Sequence, residues 1–342
     1  MRLSATSLVL LPSLCLAVGG QLGASAPASA RTIALLVVQN PAGDGPAARA
    51  VTEALLEELP RHGELADAAA TRNALRRLRI RNGDAAPPDV LRLLAEELAV
   101  DWLISATVHD AERRDVPRLT LSARAYDGAS GKLFWAGFKG GSGLDTRKLL
   151  GLGVIPEVER LAPRVVANLV SKLGEAGATS TSMSSGTVAI VDFDSLTQRA
   201  SGAAADTVTE AARAAVLGRG LDLASPNCTS NALRRIRSTR RGAVDAEMRH
   251  AITSSCGAKT ILTGTVELYD IGGAEMEPEP LVAISIRLLD AQTGRILWTG
   301  ALEREGWNRS VFRIGRVYSR GALVERMLET MTRRLLEREN TG

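Results

Sequence analysis

The sequence predicts an α/β protein made of two tandem copies of a mixed-sheet domain, each with the element order β-α-β-α-β-β-β-α. Three observations predict it. A repeat runs through the whole chain, a segment poor in apolar residues separates its two instances, and strand-like and helix-like apolar spacings alternate in the same order in both.

The repeat is plainest at Asn73-Ala74-Leu75-Arg76-Arg77-Leu78, which returns as Asn231-Ala232-Leu233-Arg234-Arg235-Ile236. The same offset carries Val108 onto Val266. Upstream, Val51-Thr52-Glu53-Ala54 returns as Val208-Thr209-Glu210-Ala211, and Thr32 to Leu36 returns as Thr187 to Val191. Downstream, Asp127 with Gly131 to Gly137 returns as Asp290 with Gly294 to Gly300, each with a Trp, Trp135 or Trp298. Matches in unchanged order mark a duplication of a whole domain. The intervening residues 174–186 are Gly, Ala, Ser and Thr with one Glu and one Met, a composition that buries too little apolar area to offset chain entropy. The expected boundaries are 1–30 for a leader, 31–173 for copy one, 174–186 for a flexible linker and 187–342 for copy two.

Each element has its own sequence reason. Ile33–Val38 and Val188–Phe193 are β-branched apolar runs that suit buried strands. Ala47–Leu59 and Ala204–Leu217 carry apolar residues at helical spacing. A short second strand is expected near Leu65 and at Leu221–Ala224. The Asn-Ala-Leu-Arg-Arg segments follow, with Asn73 and Asn231 expected as helix N-caps. Helices at Asp89–Leu98 and Asp245–Ser255 lead into strands at Trp102–Val108 and Thr260–Leu268. Hairpins follow at Leu119–Tyr126 with Lys132–Phe138, and at Leu281–Leu289 with Arg295–Leu302. Helices at Glu157–Leu173 and Ala322–Glu337 close the copies. In the hairpin turns Asp bonds the backbone of its own turn and Gly supplies the positive φ, so Gly131-Lys132 reads as a turn and not as a phosphate loop. No Ser or Thr follows Lys132, and the next element is a strand.

Composition narrows the function. The 342 residues are 45% hydrophobic and 23% charged, with a formal net charge of +4 and only 3% aromatics. That mild charge without stacking platforms excludes a nucleic-acid binder. Arg2, the apolar stretch Leu8 to Gly19 and Ala28-Ser29-Ala30 have the layout of a signal peptide cleaved near Ala30, which predicts a periplasmic or secreted protein. Leu14 stands before Cys15 where a lipid-attachment motif wants a small residue, so lipid anchoring is not expected. No later segment has the length of apolar sequence that spans a bilayer.

The candidate site residues are few. Cys228 and Cys256 occur in copy two alone, and in an oxidising compartment they read as a disulfide, with two buried thiols as the alternative. The basic clusters Arg72, Arg76, Arg77, Arg79 and Arg81, and Arg234, Arg235, Arg237, Arg240 and Arg241, occur in both copies. On a helix Arg72, Arg76 and Arg79 form one stripe, as do Arg234 and Arg237, either to bind an anionic surface or simply as a solvated face. No cofactor or metal is expected. His62, His109 and His250 lack a ligand spacing, Gly140-Gly141-Ser142-Gly143 is no nucleophile elbow, and the pair Asp192 and Asp194 faces Val37 and Gln39 in copy one.

The run Gly257-Ala258-Lys259-Thr260-Ile261-Leu262-Thr263-Gly264-Thr265-Val266, followed by Arg287-Leu288-Leu289-Asp290 and Thr293-Gly294-Arg295-Ile296-Leu297-Trp298, resembles the amino-terminal domain of TolB-like proteins. It is similar to the superfamily of curli-secretion lipoproteins, flagellar outer-membrane lipoproteins and lipoprotein activators of penicillin-binding proteins. Copy one keeps Val100 to Ile104 and Ser130-Gly131 but has Ser105 where Gly264 stands. The resemblance implies a non-enzymatic periplasmic domain that binds other envelope proteins, with oligomerisation open. The expected function is an interaction or accessory module of a secretion, motility or cell-wall system. The alternative is a small-ligand or glycan binder using a cleft between the copies.

Overall fold

The structure is a computed structural model that describes residues 31–81, 86–113, 116–147, 152–176, 187–197, 201–274, 277–306 and 316–339. The expected leader, residues 1–30, and most of the expected linker, residues 177–186, lie outside the described residues.

The first half runs β1 (Thr32–Leu35), α1 (Gly45–Glu58), β2 (Glu64–Leu65), α2 (Ala68–Arg77), α3 (Pro88–Leu98), β3 (Trp102–Glu112), β4 (Arg118–Asp127), β5 (Leu133–Ser142), α4 (Val158–Val170) and the single turn α5 (Leu173–Ala176). The second runs β6 (Val188–Ile190), β7 (Asp194–Ser195), α6 (Ser201–Leu217), α7 (Pro226–Arg235), α8 (Ala246–Cys256), β8 (Thr260–Ala274), β9 (Glu277–Asp290), β10 (Ile296–Glu305) and α9 (Arg320–Glu339).

Two mixed sheets result. One has the order β2-β1-β3-β4-β5 and the other β10-β9-β8-β6, with β7 also on β8. β1 and β6 run parallel to β3 and β8, as β2 does to β1 and β7 to β8, while β3-β4-β5 and β8-β9-β10 are antiparallel meanders. The registers repeat as well. Ile33 pairs with Trp102 as Val188 does with Thr260, and Trp102 pairs with Asp127 as Thr260 does with Asp290. A β-bulge interrupts β3 between Val108 and Asp110 and β8 between Val266 and Leu268, the same place in each sheet.

Helices cover both faces. On one face of the first sheet, α1 and α4 pack over Ile104, Val108, Leu121 and Ala125. On the other, α2 and α3 pack over Leu103 and Tyr126. In the second half α6 and α9 pack over Val266, Ile284 and Ile286, while α7 and α8 pack over Ile261 and Leu289. Trp135 is buried, whereas Trp298 is half-buried.

Four expectations need correcting. Two helices, not one, lie between the second strand position and β3 or β8. Asn73 and Asn231 sit inside α2 and α7, which begin earlier: Asp67 caps α2 by accepting from the Ala70 N–H at 2.7 Å, and Ser225 precedes Pro226 at the start of α7. Leu221–Ala224 forms only a single bridge, Leu223 to Val188. The helix expected to reach Leu173 ends at Val170, before α5.

Candidate interaction surfaces

The basic residues lie on the surface but not in the predicted stripes. Arg72, Arg76 and Arg77 are exposed on α2, and Arg77 pairs with Glu97 through its Nε at 2.6 Å. The helix stops at Arg77. Arg79 adopts φ 56°, and the Ile80 N–H reaches back to the Leu75 carbonyl, closing a left-handed C-terminal turn. The second half copies this turn: α7 stops at Arg235, Arg237 has φ 53° and the Ser238 N–H donates to the Leu233 carbonyl. Arg79 and Arg237 therefore leave their helical faces, because a left-handed residue turns the chain off the helix axis. Arg234 donates to Asn231 Oδ1 at 2.7 Å, Arg240 lies 3.4 Å from Asp245 and Arg241 lies 2.9 Å from Asp206. Arg72, Arg76, Arg79, Arg81, Arg235 and Arg237 make no ion pair with a described residue.

Cys228 on α7 and Cys256 at the end of α8 form a disulfide, with Cα atoms 5.8 Å apart and 28 residues between them in sequence. It staples α7 to α8; the equivalent helices α2 and α3 are joined instead by packing and by the Arg77–Glu97 pair.

The junction between the halves has no counterpart in the sequence reading. The face of β3, β4 and β5 beyond α2 and α3 is covered by α6 and α9 of the second half, so α6 is buried on two sides. Its Ala204, Val208, Ala211 and Ala212 face its own sheet, and Thr209, Glu210 and Arg213 are buried as well. Phe138 of β5 belongs to the second half's core cluster. Backbones approach closely here: a Cβ on Gly140 would run into Gly321 and Ala322, and one on Gly321 would run into Thr120.

Charges are buried in this junction with their partners. Arg124 of β4 donates to Glu210 of α6, from Nε at 3.0 Å and from Nη2, and Glu210 also accepts from Arg213. Arg213 in turn reaches Asp192 at 2.9 Å. Burial pushes the Glu210 carboxyl up, but the Arg124 and Arg213 guanidiniums outweigh it and hold it at about 2. A second cluster centres on Arg320 of α9, which lies 2.7 Å from Asp110 and 2.6 Å from Glu112, with its guanidinium over the Tyr269 ring. Burial raises the Asp110 carboxyl, and the Arg320 charge offsets only part of that. Lys139 of β5 pairs with Glu325 of α9 at 2.8 Å, where burial raises the Glu325 carboxyl. Helix, ion pairs and close glycine contacts thus fill this junction.

The residues weighed for chemistry are occupied structurally. The Asp127 carboxylate accepts from Ser130 Oγ at 2.9 Å and Gly131 has φ 66°; Asp290 accepts from Thr293 Oγ1 at 2.8 Å and Gly294 has φ 76°. Both are hairpin turns. Asp194 bonds the Ser195 N–H at 2.8 Å, and His109 Nε2 lies 2.8 Å from Ser122 Oγ. Among the described residues no group of three or more His, Cys, Asp or Glu is placed to hold a metal ion, and no helix is long and apolar enough to cross a membrane.

No family model matches the chain, and no curated protein does. Solved structures are similar to parts of it. The PelC dodecamer from Paraburkholderia phytofirmans is 20% identical, with a TM-score of 0.29, over 44% of this chain and 87% of that one. Lipoprotein GNA1162 from Neisseria meningitidis is 15% identical, with a TM-score of 0.30, over 44% of this chain and 99% of that one. The LpoB C-terminal domain from Salmonella enterica is 20% identical, with a TM-score of 0.26, over 40% of this chain and 93% of that one.

Proposed function

We propose that this chain is an exported, non-catalytic envelope module that binds other proteins through its basic helix ends. The observation that carries the reading is the turn after α2 and after α7. In both halves an arginine, Arg79 or Arg237, occupies a left-handed position that glycine fills at least cost. The conformation costs an L-residue on the order of 1 kcal/mol, a cost kept twice beside further exposed arginines. Backbone strain retained at a charged surface turn is what a binding role asks for, because a glycine there relieves the strain but loses the charge. The disulfide between Cys228 and Cys256 fits an oxidising compartment.

The test replaces Arg72, Arg76, Arg79, Arg234, Arg235 and Arg237 with Gln and compares the envelope proteins cross-linked to the variant with those cross-linked to the wild type. Loss of specific partners, with circular dichroism unchanged, supports the reading. An unchanged partner set sinks it, and a loss confined to anionic vesicles assigns the charge to a lipid surface instead.

A further inference from the structure

The contact that joins the two halves leaves one copy of each of its faces unused. The first half contributes a sheet face, β4 and β5, and the second a helix face, α6 and α9. By the repeat, the second half owns an equivalent sheet face on β9 and β10, and the first an equivalent helix face on α1 and α4. Both are open. Ala136, Phe138 and Gly140 of β5 are buried, whereas their counterparts Thr299, Ala301 and Glu303 of β10 are exposed. Glu210 and Arg213 of α6 are buried, whereas their counterparts Glu53 and Leu56 of α1 are exposed.

The residues left open are complementary. Arg124, which grips Glu210 inside the chain, corresponds to Arg287, and Glu210 corresponds to Glu53. Arg287 and Glu53 are exposed, and neither makes an ion pair with a described residue. Asp192 and Arg213, which pair at the rim of the junction, correspond to Val37 and Leu56, two large apolar side chains that are 54% and 39% exposed. The pair Lys139 and Glu325 is not repeated: Leu302 packs against the second half's own core, and Pro163 lies inside α4. Where Gly140 meets Ala322, the counterparts are Glu303 and Arg160, of opposite charge. The Arg124–Glu210 pair thus keeps its charges as Arg287 and Glu53, whereas the Arg320 cluster does not recur: Arg320, Asp110 and Glu112 correspond to Val158, Leu268 and Asp270.

We infer that the chain associates head to tail with further copies of itself, the α1–α4 face of one molecule seating on the β9–β10 face of the next as α6 and α9 seat on β4 and β5 within the chain. The inference stands apart from the reading of the basic helix ends, which involves other elements. Such a contact is heterologous, so it propagates until it closes into a ring or continues as a filament. The replacement of Gly140 by Glu303 and of Ala322 by Arg160 widens the approach, which makes this contact looser and more reversible than the internal one.

Charge reversal tests it. Arg287→Glu sets a new carboxylate against Glu53 of the next molecule, and Glu53→Arg sets a new guanidinium against Arg287. Each variant alone therefore opposes like charges at every contact. Mixed together, the two variants oppose unlike charges at every contact where they alternate. Sedimentation velocity of the full chain over ~1 to ~100 µM should show association of the wild type, at least ~10-fold weaker association of either variant alone, and recovery in the equimolar mixture. Both positions are exposed, so the fold is expected to survive, as unchanged circular dichroism and melting would verify. A wild type that stays monomeric throughout overturns the inference, and if position 287 then cross-links to a different protein, the face belongs to a foreign partner. Variants that associate like the wild type, or a mixture that does not recover, overturn it equally.

Discussion

Replacing Glu210 with Gln should destabilise the protein by about 3 kcal/mol at neutral pH, and the loss should vanish in acid. The carboxylate is buried between Arg124 and Arg213, so removing its charge strands two guanidiniums in the junction, although Arg213 keeps Asp192. Breaking a buried pair from one side costs about 3–5 kcal/mol. Proton linkage gives a similar figure. The carboxyl ionises at about 2 in the folded chain against an ordinary 4.5, and a difference of that size corresponds to about 3 kcal/mol. Because the folded value is depressed, the stabilisation is complete above pH ~4.5 and is lost as pH falls towards ~2. Asp110 and Glu325 have raised values and act in the opposite sense, gaining protons more readily when folded. Taking the difference between wild type and variant at each pH cancels them. Urea unfolding followed by tryptophan fluorescence at several pH values measures that difference. A gap below ~0.5 kcal/mol at pH 7, or a gap that persists unchanged at pH ~2.5, would refute the reasoning. The double variant Arg124→Met with Glu210→Leu, which strands fewer charges, should recover most of the loss.

Three further outcomes follow from the same contacts. Reducing the disulfide, or substituting Cys228→Ser with Cys256→Ser, should cost roughly 2–4 kcal/mol and raise hydrogen exchange in α7 and α8 while leaving α2 and α3 unaffected. Gly140→Leu has no room against Gly321 and Ala322, so it should speed hydrogen exchange at the first turn of α9 far more than in α3; equal effects in both would count against the close approach. Arg79→Gly and Arg237→Gly should each stabilise the chain, by up to about 1 kcal/mol, because glycine takes the left-handed conformation freely; a loss of melting temperature would contradict the backbone assignment.

The repeat is legible because whole motifs recur, and with it come the succession of strands along the chain and the hairpin turns. Helix starts are misread where a stronger signal stands nearby. Asp67 before three alanines and Ser225 before Pro226 both mark a start, yet the repeated Asn73 and Asn231 draw attention to the middle of the helix. The ends after Arg77 and Arg235 are illegible for a different reason: a left-handed turn is normally announced by glycine, and here arginine holds it. The junction is hidden because Arg124 and Glu210 lie 86 residues apart and each looks like an ordinary surface charge. One signal was available. Ala136, Phe138 and Gly140 stand where the second half has Thr299, Ala301 and Glu303, and a strand so short of polar groups on its outward face is a strand that something covers.

The bulge in β3 also governs how the chain tolerates changes in length. Val108 faces the core and pairs with Leu121, and Asp110 pairs with Thr120, so His109 is a surplus residue between two ladder positions. It lets two consecutive side chains, His109 and Asp110, look towards the second half. Deleting His109 would leave every remaining residue of the strand on its present side. Inserting one residue after Asp110 would instead turn the strand end over, sending Ala111 towards α9 and Glu112 into the apolar layer beneath α1 and α4. Two chains differing by a single residue at this site can therefore share a fold or lose it, according to which residue is gained or lost.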